Sequence, residues 1–125
     1  MSENYNLGML AMRPEIYIEL NGSKNEEELF MHQTLRPLLK LQHEKIIQLI
    51  ESAQYFEKHK CQRVIAVENT NYLKTFLIKN IELKQQLIGL ILGVFTTDEL
   101  TYFIKNKTII SKRMIEMMIT RYLSN

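Results

Sequence analysis

The side chains with the most chemical reach in this 125-residue chain are three histidines, His32, His43 and His59, and one cysteine, Cys61. A metal site would have to combine those histidines with nearby acids, since imidazole nitrogen and carboxylate oxygen are common ligands of transition metals. Glu28 and His32 stand one helical turn apart and can share a face. The Glu-x-x-His pairs of carboxylate di-metal bundles are absent, so exposed or partly packed histidines are the expectation and no metal or other cofactor is implied. His59 and Cys61 fall in the polar run Lys58-His59-Lys60-Cys61-Gln62-Arg63, which offers a thiol near a base. A cysteine nucleophile also needs a group to orient that base and donors for the oxyanion, and neither is indicated. There is no P-loop, dinucleotide-binding glycine pattern or G-x-S-x-G elbow. These residues point away from an enzyme, and a metal-dependent activity stays as a minor alternative.

The cations suggest a different chemistry. A helix over 98–104, a short break, and a final helix carrying Lys112, Arg113 and Arg121 have the outline of a helix-turn-helix, with Lys105 and Lys107 available to phosphates. Lys107, Lys112, Arg113 and Arg121 are thus the candidate nucleic-acid contacts. Against this, Glu116 sits in the supposed reading helix, its first turns lack a base-reading Asn or Gln, and the net charge is only +2. The charge is unevenly spread. Residues 1–57 carry nine acids and five bases, a balance of −4, and residues 58–125 carry five acids and eleven bases, a balance of +6. That asymmetry suits head-to-tail association or an anionic partner, unless interleaved helices average it away.

The elements that would position these residues are helical. Leu87-Ile88-Gly89-Leu90-Ile91-Leu92-Gly93-Val94-Phe95 is apolar on every side of a helix, which predicts a central rod over about 81–95 surrounded by the rest of the bundle. At nine residues this run is far shorter than the roughly 20 needed to cross a bilayer, so no membrane is expected. Gly89 and Gly93 share a face as a small-xxx-small groove, suited to a tight helix crossing within the subunit, a dimer seam or an apolar ligand cleft. In the last helix Met114, Met117 and Met118, with Ile115 and Ile119, place apolar groups around most of the circumference. Methionine-rich surfaces adapt to partners, and a second copy of the chain is the simplest cover.

Before that bundle, residues 1–22 lack helical periodicity, and Ile16, Ile18 and Leu20 alternate with Tyr17 and Glu19, so an extended N-terminal arm is expected. It packs on the bundle or forms a two-stranded ribbon across a dimer axis. Ser23-Lys24-Asn25-Glu26 has the form of a capping box that opens a helical domain over 23–125. Pro37 predicts a kink or restart. The next helix, with Leu39, Gln42, Ile46, Leu49, Ile50, Ala53 and Phe56 on one stripe, should run to about Lys58. Val64–Val67 is undecided. Asn69 or Thr70, Asn80, and Thr96 to Glu99 are cap signals for the helices that follow.

The pieces Thr34-Leu35-Arg36-Pro37-Leu38-Leu39-Lys40-Leu41-Gln42, Leu87-Ile88-Gly89 with Gly93-Val94-Phe95-Thr96, and Lys112-Arg113-Met114-Ile115 together resemble a family of small all-helical bacterial proteins of unknown role, over roughly residues 13–122. Some relatives are labelled glyoxalase. Glyoxalase-type metal sites resemble paired β-α-β-β-β units with His and Glu ligands on strands, whereas this chain reads as helices. The resemblance therefore implies a fold and carries over no site residue.

Composition agrees with a single all-α domain of five or six helices. The chain is 46% hydrophobic with only four Gly and two Pro, too few turn residues for a β-sandwich or barrel. One cysteine excludes an internal disulfide and favours a reducing compartment, and the acidic Glu3 with no apolar h-region argues against a secretory leader, so a cytoplasmic protein is expected. The expected role is protein interaction or scaffolding by a homodimer, through Gly89, Gly93, Met114, Met117 and Met118. A nucleic-acid-binding regulator is the alternative.

Overall fold

Capping signals and apolar stripes translate directly into helices. The computed structural model describes residues 2–14, 25–54 and 66–124, and among these it is all-α, with no strand. Helix α1 (Ser2–Ala11) occupies the first half of the segment read as an extended arm. It has no apolar stripe, which is why periodicity does not reveal it. It docks through polar groups: Asn6 exchanges hydrogen bonds with Thr97, donating to its hydroxyl at 3.1 Å and accepting from its backbone N–H at 3.0 Å. The alternating stretch from Ile16 to Leu20, and Ser23 of the expected capping box, lie outside the described residues.

Helix α2 (Glu26–Phe30) is capped by Asn25, whose side chain accepts from the N–H of Glu28 at 2.8 Å, and Glu26, Glu27 and Glu28 occupy its first turn near the positive helix end. A π-helical turn (Met31–Leu35) follows, then α3 (Arg36–Leu41). Pro37 stands in the first turn of α3, where the chain passes from the π turn to α-helix with Leu35 and Arg36 both in helical geometry. Proline has no N–H and its ring crowds the carbonyl four residues back. The widened turn, in which the N–H of Arg36 reaches the carbonyl of Met31, accommodates both problems while the backbone stays helical.

The break comes instead at Gln42, with φ −96° and ψ 11°, so the helix read as one is two, α3 and α4 (His43–Gln54). Its stripe does face inward. Leu39, Ile46 and Ile50 are buried, and Leu41, Leu49 and Ala53 pack against them. Phe56 and the expected end near Lys58 lie outside the described residues.

The second half comprises α5 (Val67–Lys79), α6 (Ile81–Leu92), α7 (Thr97–Lys105) and α8 (Lys107–Leu123). Helix α5 begins ahead of the expected caps, with extended Ala66 at its N-cap position and Val67 as its first residue. Asn80 caps α6 by accepting from the N–H of Leu83 at 3.1 Å, and Thr96 with Glu99 forms a complete capping box on α7.

Helix α8, not α6, is the rod of the bundle. It packs against α4, α5, α6 and α7 and buries Ile110, Met114, Ile115, Met118, Ile119, Tyr122 and Leu123. Helix α6 buries one line, Leu83, Leu87 and Ile91, while Ile88, Leu90 and Leu92 are half-buried and Ile81 is exposed. The apolar run 87–95 misleads because two of its members are glycines, which contribute backbone, not apolar surface. Gly89 and Gly93 are exposed, and a Cβ at Gly89 would meet nothing within 4 Å. At Gly93 it would meet only carbonyls of its own helix, Gly89 O at 3.3 Å first, so among the described residues no other helix crosses there. The methionines are also reassigned. Met114 and Met118 are fully buried core side chains, and Met117 is half-buried against that core, so most of the apolar face of α8 is covered within the subunit. No helix among the described residues is long and apolar enough to cross a membrane.

Candidate functional site

Two helical walls enclose a groove of about 780 Å³. One wall runs from the π turn into α4 and presents Met31, Arg36, Leu39, Lys40, His43 and Glu44. From Arg36 onward these lie at i, i+3, i+4, i+7 and i+8, a single helix face. The opposite wall is the C-terminal half of α8, where Arg113, Glu116, Met117, Thr120, Arg121 and Ser124 repeat the same spacing. The Gln42 break is anchored from behind, since its side-chain amide donates to the carbonyl of Leu90 at 3.0 Å. That carbonyl lies where α6 tightens to i→i+3 bonding, with Val94 N–H turned to Ile91, so the Gln42 amide takes up an acceptor the helix leaves behind.

The electrostatics of the groove differ along its length. Arg113 donates to Glu27 of α2 at 2.9 Å, and that bond and charge, with help from Glu116 and Glu28, hold its guanidinium above the ordinary arginine value. Arg121 has the opposite fate: burial first, and then the positive charge of Arg36, push it below that value. Its Nε–H donates to His43 Nδ1 at 3.0 Å, which requires that nitrogen to be unprotonated and leaves the ring N–H on Nε2. Arg36 and Lys40 are exposed, and among the described residues neither is ion-paired. The groove hydroxyls are engaged with the main chain, Thr120 donating to the carbonyl of Glu116 at 3.1 Å and Ser124 to that of Thr120 at 2.6 Å.

The nucleic-acid candidates do not form one surface. Lys112 and Arg121 are nine residues apart on α8, about half a turn out of phase, and Lys107 stands at its start. Arg113 and Arg121 line the groove, whereas Lys107 and Lys112 are exposed away from it. Helix α8 is the core rod, so the outline of a helix-turn-helix exists without a free reading helix. His32 lies in the π turn with Nδ1 buried and without a hydrogen-bond partner, His43 is in the groove, and His59 and Cys61 lie outside the described residues. Among the described residues no three His, Cys, Asp or Glu side chains are grouped to hold a metal ion.

Arg36 and Lys40 are the site residues that inspection of the sequence missed. With His43 they follow an i, i+4, i+7 spacing that would have marked a cationic face, but their partner across the groove, Arg121, is far away in the chain. The chain matches no family model, no curated protein and no solved structure, so the groove is read from its own chemistry.

Proposed function

We propose that the chain is a non-enzymatic interaction domain, and that the groove between α3–α4 and α8 is its recognition surface for an anionic group on a partner. The observation that supports this is the convergence of Arg36, Lys40, His43 and Arg121 on one groove, where Arg36 and Arg121 act on each other as like charges. Like charges held together in a partly desolvated site are stabilised by an anion between them. The same lining suits binding: Thr120 and Ser124 donate to backbone carbonyls and His43 Nδ1 accepts from Arg121, bonds that fix these groups in place. The test is a titration of the full chain with sulfate, followed by amide NMR. Shifts confined to residues 36–44 and 113–124 are expected, and unperturbed groove amides at low ionic strength would sink the proposal.

Self-association is a second reading, favoured by Leu100, Ile104 and Ile109, apolar side chains exposed on either side of the α7–α8 corner. Light scattering across a wide concentration range tests it, with a dimer near twice 14.9 kDa expected and a monomer throughout refuting it. The nucleic-acid alternative would show duplex-DNA affinity that falls steeply with salt and depends on Lys112 and Arg113.

A further inference from the structure

Away from the groove, the carboxylate of Glu99 is oriented by groups of the bundle. Its Oε1 accepts from the N–H of Thr96 at 2.8 Å, its own N–H donates to the Thr96 hydroxyl at 3.3 Å, and the Thr34 hydroxyl lies 3.4 Å from Oε2. The carbonyl of Val94, just past α6, is close enough that one nitrogen, Arg13 Nη2, bonds both. A fixed carboxylate with a carbonyl alongside matches the planar fork of a guanidinium better than the point charge of an ammonium. Arg13 takes this place, with Nη1 2.7 Å from Oε2 and Nη2 3.2 Å from the Val94 carbonyl, and its side chain is 9% exposed. We propose that the corner between α6 and α7 is an arginine-binding slot, filled at rest by Arg13 from the chain's own N-terminal segment and opened to the arginine of a partner peptide when α1 lifts off.

The segment that delivers Arg13 has little else to hold it. None of residues 3–12 is buried, and Tyr5, Leu7, Leu10 and Met12 are exposed. The other side-chain bonds from α1 to the bundle are those between Asn6 and Thr97, and they are exposed. A helix of 10 residues is marginal in water by itself, and a segment with few buried apolar contacts opens at a fraction of the cost of global unfolding. Arg13 is also an imperfect ligand, because its Nε is buried without a hydrogen-bond partner, a cost that lifting removes. The chain thus carries its own competitor, and a partner's arginine binds with an affinity reduced by the fraction of molecules in which the slot is filled. Neither Glu99 nor Val94 lines the groove between α3–α4 and α8, so the slot stands independently of that surface.

The experiment is an amide NMR titration of the full chain and of its Arg13→Ala variant with the acetylated, amidated tetrapeptide Ala-Met-Arg-Pro, which copies residues 11–14, and with its lysine counterpart at the same ionic strength. In Arg13→Ala the arginine peptide should produce saturable shifts at residues 94–99. The lysine peptide should bind that variant about tenfold more weakly or worse, and the wild type should bind the arginine peptide more weakly by a similar factor. Hydrogen exchange of the wild type in low urea tests the lifting itself. Amides of α1 should exchange at least about tenfold faster than those of α8 and respond less to urea, since lifting bares little apolar surface. No saturable shift at residues 94–99 in Arg13→Ala, or an equal response to the lysine peptide, would overturn the slot. Wild type binding as tightly as the variant would show that Arg13 does not compete. A single exchange rate and urea dependence for α1 and α8, or an Arg13→Ala chain that does not fold, would make α1 part of the cooperative core and overturn the proposal.

Discussion

Glu99 is bonded to several groups outside the groove, and its replacement by glutamine has a calculable consequence. Its carboxylate accepts two bonds from the Arg13 guanidinium, one of them at 2.7 Å, and one from the backbone N–H of Thr96 at 2.8 Å, with the Thr34 hydroxyl at 3.4 Å. Arg13 also donates to the carbonyl of Val94 at 3.2 Å, so this single ion pair clamps the end of α1 to the corner between α6 and α7. The Arg13 and Glu99 side chains are only 9% and 16% exposed, so water can replace little of what is lost. Glu99→Gln keeps an oxygen for the capping box but cannot accept both arms of the arginine fork. A hydrogen bond to a charged group contributes about 1.5–3 kcal/mol net, and the expected loss is about 2–3 kcal/mol. For a chain of this size that is a fall in Tm of about 8–12 °C. The effect should depend on pH in a defined direction. Burial raises the Glu99 carboxyl, but the bonds from Arg13 and Thr96 and the charge of Arg13 outweigh it and leave the group below its ordinary value of 4.5. A depressed carboxyl contributes stability that is fully present above the ordinary value and is lost as the pH falls through the lower, folded one. Urea unfolding of the wild type and Glu99→Gln should therefore show a gap that holds at neutral pH and closes in acid. Pairing the change with Arg13→Met should give a coupling energy of at least about 1 kcal/mol. A variant within about 0.5 kcal/mol of wild type at pH 7, or a gap that widens in acid, would refute the clamp.

Four further changes probe the buried core and the exposed surface of α6. Tyr122→Phe removes the hydroxyl that accepts from Gln54 at 3.1 Å and donates to Glu51 at 2.9 Å, inside a site where Tyr122 and Gln54 are fully buried. It should cost about 1–3 kcal/mol in denaturant unfolding, and a neutral result would mean that the two helix-α4 partners find each other or water. Gly89→Ala adds a methyl that meets nothing within 4 Å on an exposed helix face and should stabilise by about 0.5–1 kcal/mol. A loss of stability there would place a second chain against the Gly89–Gly93 face. Leu87→Ala should cost about 2–5 kcal/mol by chemical denaturation, and Ile81→Ala, on the exposed end of the same helix, less than about 0.5 kcal/mol. Equal costs would contradict the placement of α6 at the side of the bundle.

Local signals were legible and long-range ones were not. The Thr96–Glu99 capping box and the Asn80 cap are contained within four residues, and each marks a helix start as the sequence suggested. The α4 stripe was legible for the same reason. The identity of the central helix was not, because a window that counts glycine among apolar residues favours 87–95, while α8 hides its wide buried face among Lys112, Arg113, Glu116 and Arg121. Residue α1 positions carry no apolar pattern at all. Their helix is held by Asn6 with Thr97, 91 positions apart, and Arg13 with Glu99, 86 apart, and no local pattern encodes such pairs. The groove was half legible: Arg121 and Arg113 were noted as cations, but their meaning depends on Arg36, Lys40 and Glu27 from the other half of the chain.

The π turn connects that half of the chain to the groove. In a regular α-helix, residues five apart are about 140° out of phase, so Met31 and Arg36 would project from different faces. The wide turn places the N–H of Arg36 over the carbonyl of Met31, one full turn on, and both side chains line the same wall. Pro37 is buried and does not line the groove, yet its missing N–H and the bulk of its ring are what an ordinary turn accommodates poorly at this point. Asn25 fixes the start of the rod and Gln42 ends it against Leu90, so the widened register has no slack at either end. Met31 and Arg36 thus share a wall of the groove because of a widened turn beside a proline that itself stays outside the lining.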